Sequence, residues 1–185
     1  GMVTYLDKLI GQVLDKLDKL GLADNTIVFF TSDNGPQPGL WTDVFVDFFD
    51  GNGPFKGAKT NFYEGGIRTP LIISGKGVTG SGRISDAVAH VKDVPATILD
   101  AAGVTHPETF EGKKVATLQG KTLTPILSNT SDAVRSSDDW TGWQLFGNRA
   151  IRLDDWKLMW MCEPFGTSHW QLYNLKHDPG ETIDL

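Results

Sequence analysis

Val3, Leu6, Ile10, Val13, Leu17 and Leu20 recur every three or four residues, and Leu9 and Leu14 widen the stripe. That period predicts an amphipathic helix from Val3 to Leu20, stopped by Gly21 and laid by its apolar face on a sheet. After the connector Leu22 to Thr26 the pattern changes. Ile27-Val28-Phe29-Phe30 shows no alternation and is β-branched and aromatic, so it reads as a strand buried on both faces, as in a parallel sheet between helices. The next apolar run, Pro70-Leu71-Ile72-Ile73, reads as a second core strand with Pro70 at its entrance. Between the two strands, Gly35 to Thr69 is rich in Gly, Asn and Pro, and loops of that length are uncommon unless functional or disordered. Within it Val44, Phe45, Val46, Phe48 and Phe49 form an apolar patch, either helical or extended.

Downstream, Gly75 to Gly82 reads as an exposed turn region. Asp93 to Gly103 reads as a helix: Asp93 can cap it, Pro95 suits its first turn and Gly103 can end it. Its expected buried stripe is Val94, Ile98 and Leu99. Thr105 to Gly120 is expected to be loop, Leu123, Ile126 and Leu127 to dock on the core, and the Ser/Asp-rich stretch 128–139 to be a mobile linker or subdomain boundary. The tail holds four short candidate strands, Gly142–Phe146, Arg149–Leu153, Lys157–Met161 and Trp170–Tyr173, with Asp154-Asp155 as a hairpin turn. The expectation is thus an α/β domain over residues 1–130 and a small antiparallel β subdomain over 140–185. Five of the 6 tryptophans fall in this tail and are expected to build its core rather than a ligand-stacking platform.

Composition narrows the function classes. A chain of 185 residues with 39% hydrophobic content can bury a core. A formal net charge of -6 without a basic stripe argues against a general nucleic-acid binder. No apolar run is long enough to span a bilayer, and no secretory signal is visible. Cys162 is the sole cysteine, which excludes an internal disulfide. Gly1 before Met2 reads like an expression-vector scar.

Candidate chemistry gathers after the first strand. Asp33 and Asn34 are hard oxygen donors where ligands of open α/β sheets sit. Taken alone, Asp-Asn-Gly is equally well explained as a turn. Asn52-Gly53-Pro54-Phe55-Lys56-Gly57-Ala58-Lys59 adds two lysines, and Tyr63-Glu64-Gly65-Gly66-Ile67-Arg68 a carboxylate and an arginine. Lys59 or Arg68 near Asp33 would seat an anionic ester beside a cation, although lone loop lysines are usually just solvated. Glu64 can pair with Arg68 and pin the loop. No phosphate-cradling glycine loop, HExxH or GxSxG occurs, and His90 reads as a hydrogen-bonded core residue.

In order along the chain, these segments resemble the formylglycine-dependent sulfatase family: Gly21 to Gly35, Lys56-Gly57-Ala58-Lys59, Tyr63 to Pro70, His90 to Leu99, and the tail Trp170 to Leu175 closing with Asp178-Pro179-Gly180-Glu181. The tail is most similar to bacterial arylsulfatases. The resemblance implies a partial sulfatase/alkaline-phosphatase-like α/β domain followed by a small antiparallel sheet subdomain. It implies that Asp33 and Asn34 bind a metal, normally Ca²⁺, and that Lys59, with Lys56 as a neighbour, contacts the sulfate. The family nucleophile arises from a Cys or Ser in a C/S-x-P-x-R motif, which this sequence does not contain; Cys162-Glu163-Pro164-Phe165-Gly166 is a near-miss with glycine for arginine. The chain is therefore expected to be the C-terminal portion of a sulfatase, lacking the nucleophile, a further aspartate pair and the catalytic histidines. Expected with it are a small sulfate ester, preferably an aryl sulfate, as the parent's substrate, inactivity of the isolated chain and weak or no metal binding by it. A periplasmic or secreted parent, or a cytoplasmic truncated product, and self-association through surfaces the missing portion would cover complete the expectation. A related metal-dependent phosphatase or phosphodiesterase, and a noncatalytic binding or structural module, are the alternatives.

Overall fold

The computed structural model describes residues 1–37 and 51–185; the apolar patch from Val44 to Phe49 lies outside the described residues. Contacts group the chain into two units, each made of two separate stretches. The first is Gly1–Phe30 with Ile72–Arg135, and the second Thr31–Leu71 with Ser136–Leu185. The tail strands therefore share a unit with the loop carrying the candidate site residues. The architecture is mixed α/β with small antiparallel sheets.

In the first unit, α1 (Met2–Lys19) forms where the apolar period predicts it, and Gly21 follows at φ 66°. None of its residues is buried. The expected burial against a sheet is not met: Val3, Leu6 and Val13 stay exposed, because no described element covers the stripe. A 3₁₀ turn (Ala23–Asn25) leads into β1 (Ile27–Thr31), which pairs with β2 (Leu71–Gly75) in a two-stranded sheet. The Lys76 N–H donates to Thr26 O at 3.0 Å and the Thr31 hydroxyl to Pro70 O at 2.8 Å. The start of β1 thus meets the end of β2, so the pair is antiparallel rather than parallel. Neither strand is fully buried, since a two-stranded ribbon cannot cover both of its own faces.

Helix α2 (Glu64–Ile67) belongs to the second unit; α3 (Asp93–Ala102) returns to the first and ends at Gly103 in the left-handed conformation. Its buried residues are Asp93, Ala96 and Thr97 rather than Val94, Ile98 and Leu99. The reason is polar. Thr97 donates to Asp93 O at 2.7 Å and accepts from the Leu123 N–H at 2.9 Å, turning that face toward α4 (Thr124–Leu127). Leu123, Ile126 and Leu127 are buried there, as their pattern implies. The short strands β3 (Thr109–Phe110) and β4 (Lys113–Lys114) pair within the expected loop.

Asp93 organises this unit. Its carboxylate accepts from Arg135 at 2.9 and 2.7 Å and from the His90 and Lys121 amides. Arg135 also donates to Val88 O. This anchor corrects the expectation of a mobile linker over 128–139: a buried bidentate ion pair needs an ordered backbone at Arg135. His90 accepts from the Lys92 amide through Nδ1 and is half-buried.

In the second unit, β5 (Trp140–Leu145), β6 (Asn148–Leu153), β7 (Trp156–Trp160) and β8 (Trp170–Asn174) form one antiparallel sheet in sequential order. Phe146-Gly147, both at positive φ, closes the first hairpin, and Asp154 at φ 52° helps close the second. Ala150, Met159 and Tyr173 point to one face, where Phe62, Tyr63, Met161 and Leu175 complete the core. Register places Trp140, Trp156, Trp160 and Trp170 on the opposite face. Of the five tail tryptophans expected in the core, only Trp143, paired with the inward Ala150, packs against it; a one-residue offset in a period-2 strand decides the face.

Acid should loosen the first unit in two windows. Burial, and then Lys92, hold His90 below its usual imidazole value, so its contribution is present above about 6.5 and fades as pH falls below it. Burial pushes Asp93 up, but its bonds to Arg135, Lys121 and His90 outweigh this and leave it lowered. Its contribution is complete above 3.8 and lost as pH falls further. Urea midpoints measured against pH should show both falls, with Asp93→Asn flattening the lower and His90→Asn the upper.

Candidate functional site

The chain leaving β1 makes a tight turn at Ser32-Asp33-Asn34-Gly35. The Ser32 hydroxyl donates to Asn34 O at 2.9 Å, and the Asn34 side-chain amide donates to Gly35 O at 2.7 Å. Asp33 is exposed and Asn34 half-buried. The Gly35 N–H donates to Gly66 O at 2.8 Å, and a Cβ on Gly35 would lie 1.8 Å from Gly65 O. Only glycine permits that approach, so the Asp-Asn-Gly turn and the Glu-Gly-Gly turn interlock through bare backbone. The Lys59 N–H donates to Pro36 O at 3.0 Å, which fastens the lysine-bearing loop to the same segment.

An open cleft of about 440 Å³ lies beside this turn, lined by Asn34, Gly35, Asn52, Phe55, Arg68 and Thr69 among others. Of the expected residues, Asn34 lines it; Asp33, Lys56 and Lys59 do not. The Lys56 ammonium sits 4.3 Å from the centre of the Tyr63 ring, a cation–π contact that occupies it structurally. Arg68, expected to be structural, stacks on Phe55 at 4.7 Å while lining the cleft.

What sequence reasoning missed is the device that holds the loop. The Lys157 ammonium, fully buried on β7, lies 2.9 Å from Glu64 Oε1 and 2.7 Å from Glu181 Oε1. The Glu181 carboxylate also accepts from the Glu64 N–H at 2.5 Å. Glu64 does reach Arg68, but at 3.9 Å; Lys157 is its close partner. Burial, opposed by Lys157, leaves Glu181 above the ordinary carboxylate range. Beside it the Tyr63 hydroxyl donates to Gln171 Oε1 and the Gln171 amide to the Tyr173 hydroxyl, each at 2.8 Å. Burial pushes the Tyr63 phenol up as well. The signal was present in the alternation of β7: Lys157 falls in register with the inward Met159. Among the described residues no three His, Cys, Asp or Glu side chains group as a metal cluster.

The chain thus combines an Asp-Asn-Gly turn fastened to a lysine-bearing loop with a mixed α/β architecture and an antiparallel tail sheet. Residues 1–104 match the family model described as Sulfatase, and residues 55–185 the one described as N-sulphoglucosamine sulphohydrolase, C-terminal. The chain belongs to the sulfatase family, and the match includes the Sulfatase model rather than the C-terminal one alone. It is 35% identical to an uncharacterised sulfatase of Schizosaccharomyces pombe over 100% of this chain and 38% of that protein. It is 31% identical to N-acetylglucosamine-6-O-sulfatase of Bacteroides thetaiotaomicron over 99% of this chain and 30% of that protein. A solved structure of BT4656 with its substrate D-glucosamine-2-N,6-O-disulfate is 26% identical, with a TM-score of 0.67, over 98% of this chain and 34% of that one. The chain thus spans 30–38% of the length of these relatives.

Lys157→Met should leave two carboxylates buried without their cation and cost about 3–5 kcal/mol in urea unfolding. Adding Glu64→Gln and Glu181→Gln to it should recover a large share of the loss. An unchanged midpoint in the single variant would show that the ion triad does not hold this loop.

Proposed function

We propose that this chain is part of an enzyme that hydrolyses sulfate esters, its formylglycine nucleophile arising from a C/S-x-P-x-R motif outside these 185 residues. The observation that carries the reading is the interlock of the Asp33-Asn34 turn with the Lys59 loop, in a chain that matches the Sulfatase family model. Lys59 would neutralise negative charge on the sulfate oxygens as the ester bond breaks. Arg68, at the cleft wall, is placed to favour an anionic ligand.

The donor chemistry of Asp33 and Asn34 suits a hard cation, since one is a carboxylate and the other offers an amide oxygen while its NH₂ is engaged with Gly35 O. Calcium takes six to eight oxygens, so these two residues are part of a shell whose other ligands lie elsewhere. When bound, the ion would add positive charge beside the sulfate group. The names of two relatives point to sulfated amino sugars as test substrates, and the tail's resemblance to arylsulfatases adds an aryl sulfate.

The test is turnover of 4-nitrophenyl sulfate and of a 6-O-sulfated glucosamine. The isolated chain should be inactive and the longer parent protein active. Lys59→Ala in the parent should lower kcat/KM by about 100-fold or more. A parent that cleaves the matched phosphate ester but neither sulfate would overturn the assignment.

A further inference from the structure

Glu181 is fully buried and holds φ at 54°, in the left-handed region. A residue other than glycine is uncommon there, and backbone strain of this kind collects at functional sites. The turn around it is tightly bonded. The Asp178 carboxylate accepts from the Thr182 and Ile183 amides at 2.8 and 2.9 Å and from the Thr182 hydroxyl at 3.0 Å. The same turn packs on the lysine-bearing loop: a Cβ on Gly180 would lie 2.9 Å from Pro54 O, so bare backbone meets bare backbone there.

We propose, resting on the sulfate-ester reading above, that Glu181 is a positioning residue: the Asp178–Glu181 turn sets the spacing between Lys59 and the Asp33-Asn34 pair. Glu181 holds Glu64 twice. Its carboxylate accepts the Glu64 amide at 2.5 Å, and it shares the Lys157 ammonium with the Glu64 side chain. The two glycines that follow pass this position on in two directions. The Gly65 N–H donates to Lys56 O at 2.7 Å, which sets the lysine-bearing loop, and Gly66 O accepts from the Gly35 N–H at 2.8 Å, which sets the turn after β1. The Lys59 N–H on Pro36 O closes the circuit. Glu64 Oε2 also lies 3.9 Å from Arg68 at the cleft wall.

All of these residues belong to the second unit, and Glu64, Lys157 and Glu181 are buried within it. Their contacts are interior and do not depend on what packs outside. Stability alone asks for no ions here, since apolar side chains of similar volume often fill such a site at equal or lower cost. A carboxylate adds direction, because the Glu64 amide must point at it. Direction matters for catalysis: a shift of about 1 Å in a reacting or charge-stabilising group can cost about 100-fold in rate.

The test uses the longer parent protein as wild type, Glu181→Leu, Glu181→Gln and Gly180→Ala, each normalised to folded molecules. Amide hydrogen exchange at Gly35 and Lys59 should speed at least about ten-fold in Glu181→Leu, with the β6 and β7 amides unchanged. Its kcat on 4-nitrophenyl sulfate should fall about 100-fold with little change in KM. Calorimetry on the chelator-stripped protein should show Ca²⁺ bound about ten-fold more weakly. Glu181→Gln keeps an oxygen for the Glu64 amide and should hold kcat within about ten-fold of wild type. Gly180→Ala presses a methyl on Pro54 O with all three charges in place, and should move exchange and kcat in the same direction as Glu181→Leu. Exchange at Gly35 and Lys59 that keeps the wild-type rate in Glu181→Leu and Gly180→Ala would overturn the proposal. Faster exchange with kcat and Ca²⁺ affinity unchanged would overturn it too, as the mark of a purely structural residue. A wild-type parent without sulfate-ester turnover would sink the proposed function instead, and the exchange and Ca²⁺ readings would still decide for or against Glu181.

Discussion

An ammonium group taken out of water costs several kcal/mol unless opposite charge and hydrogen bonds replace the solvent. Lys157 meets that cost by binding two carboxylates at once, Glu64 from the Glu-Gly-Gly turn and Glu181 from the closing Asp-Pro-Gly-Glu segment. The arrangement is costly to break and hard to shift, because moving any one of the three strands a buried charge. The Glu-Gly-Gly turn is therefore fixed on the tail sheet. Through the Gly35–Gly66 hydrogen bond and the Lys59–Pro36 bond it fixes the Asp33-Asn34 turn and the lysine loop in turn. The loops carrying Asp33, Asn34 and Lys59 are thus steadied by a buried ion triad and by glycines that admit no side chain between them.

Where one periodicity decided the outcome, the sequence was readable. Helix α1, the paired apolar runs of β1 and β2, the helix ending at Gly103 and the four tail strands all lie where pattern and turn residues put them, although Asp93 opens that helix instead of capping it: the cap residue is Lys92, without a side-chain cap bond. Burial was less legible. Ile98 was expected inside and is out, because Thr97 hydrogen-bonds across to Leu123 and rotates the helix. Trp140, Trp156, Trp160 and Trp170 were expected inside and are out, because Met159, Tyr173 and a buried lysine claim the other face with Trp143. Such choices depend on long-range partners that local spacing does not encode.

The candidate site was legible in a different way. Asp33, Asn34 and Lys59 were expected from a resemblance, and the structure fastens the Lys59 amide to Pro36, two residues past Asn34. Arg68 was undervalued because an arginine four residues after a glutamate reads first as a helical ion pair. Its stacking on Phe55 and its place in the cleft wall became visible only when the loop was folded. Lys157 was read only as the start of a tail strand, because its carboxylate partners Glu64 and Glu181 are distant in sequence.

The second unit is assembled from two stretches of chain separated by the whole latter half of the first. Glu64 waits for a partner 93 residues downstream and donates its amide to one 117 residues downstream. At ordinary ribosomal speeds that delay is roughly five to twenty seconds. Throughout it, the glycine-locked turns have emerged while the sheet that anchors them has not been made. The anchoring of the loop bearing Lys59 and Glu64 is thus a late event of synthesis, and the Glu64 carboxylate spends that interval in water.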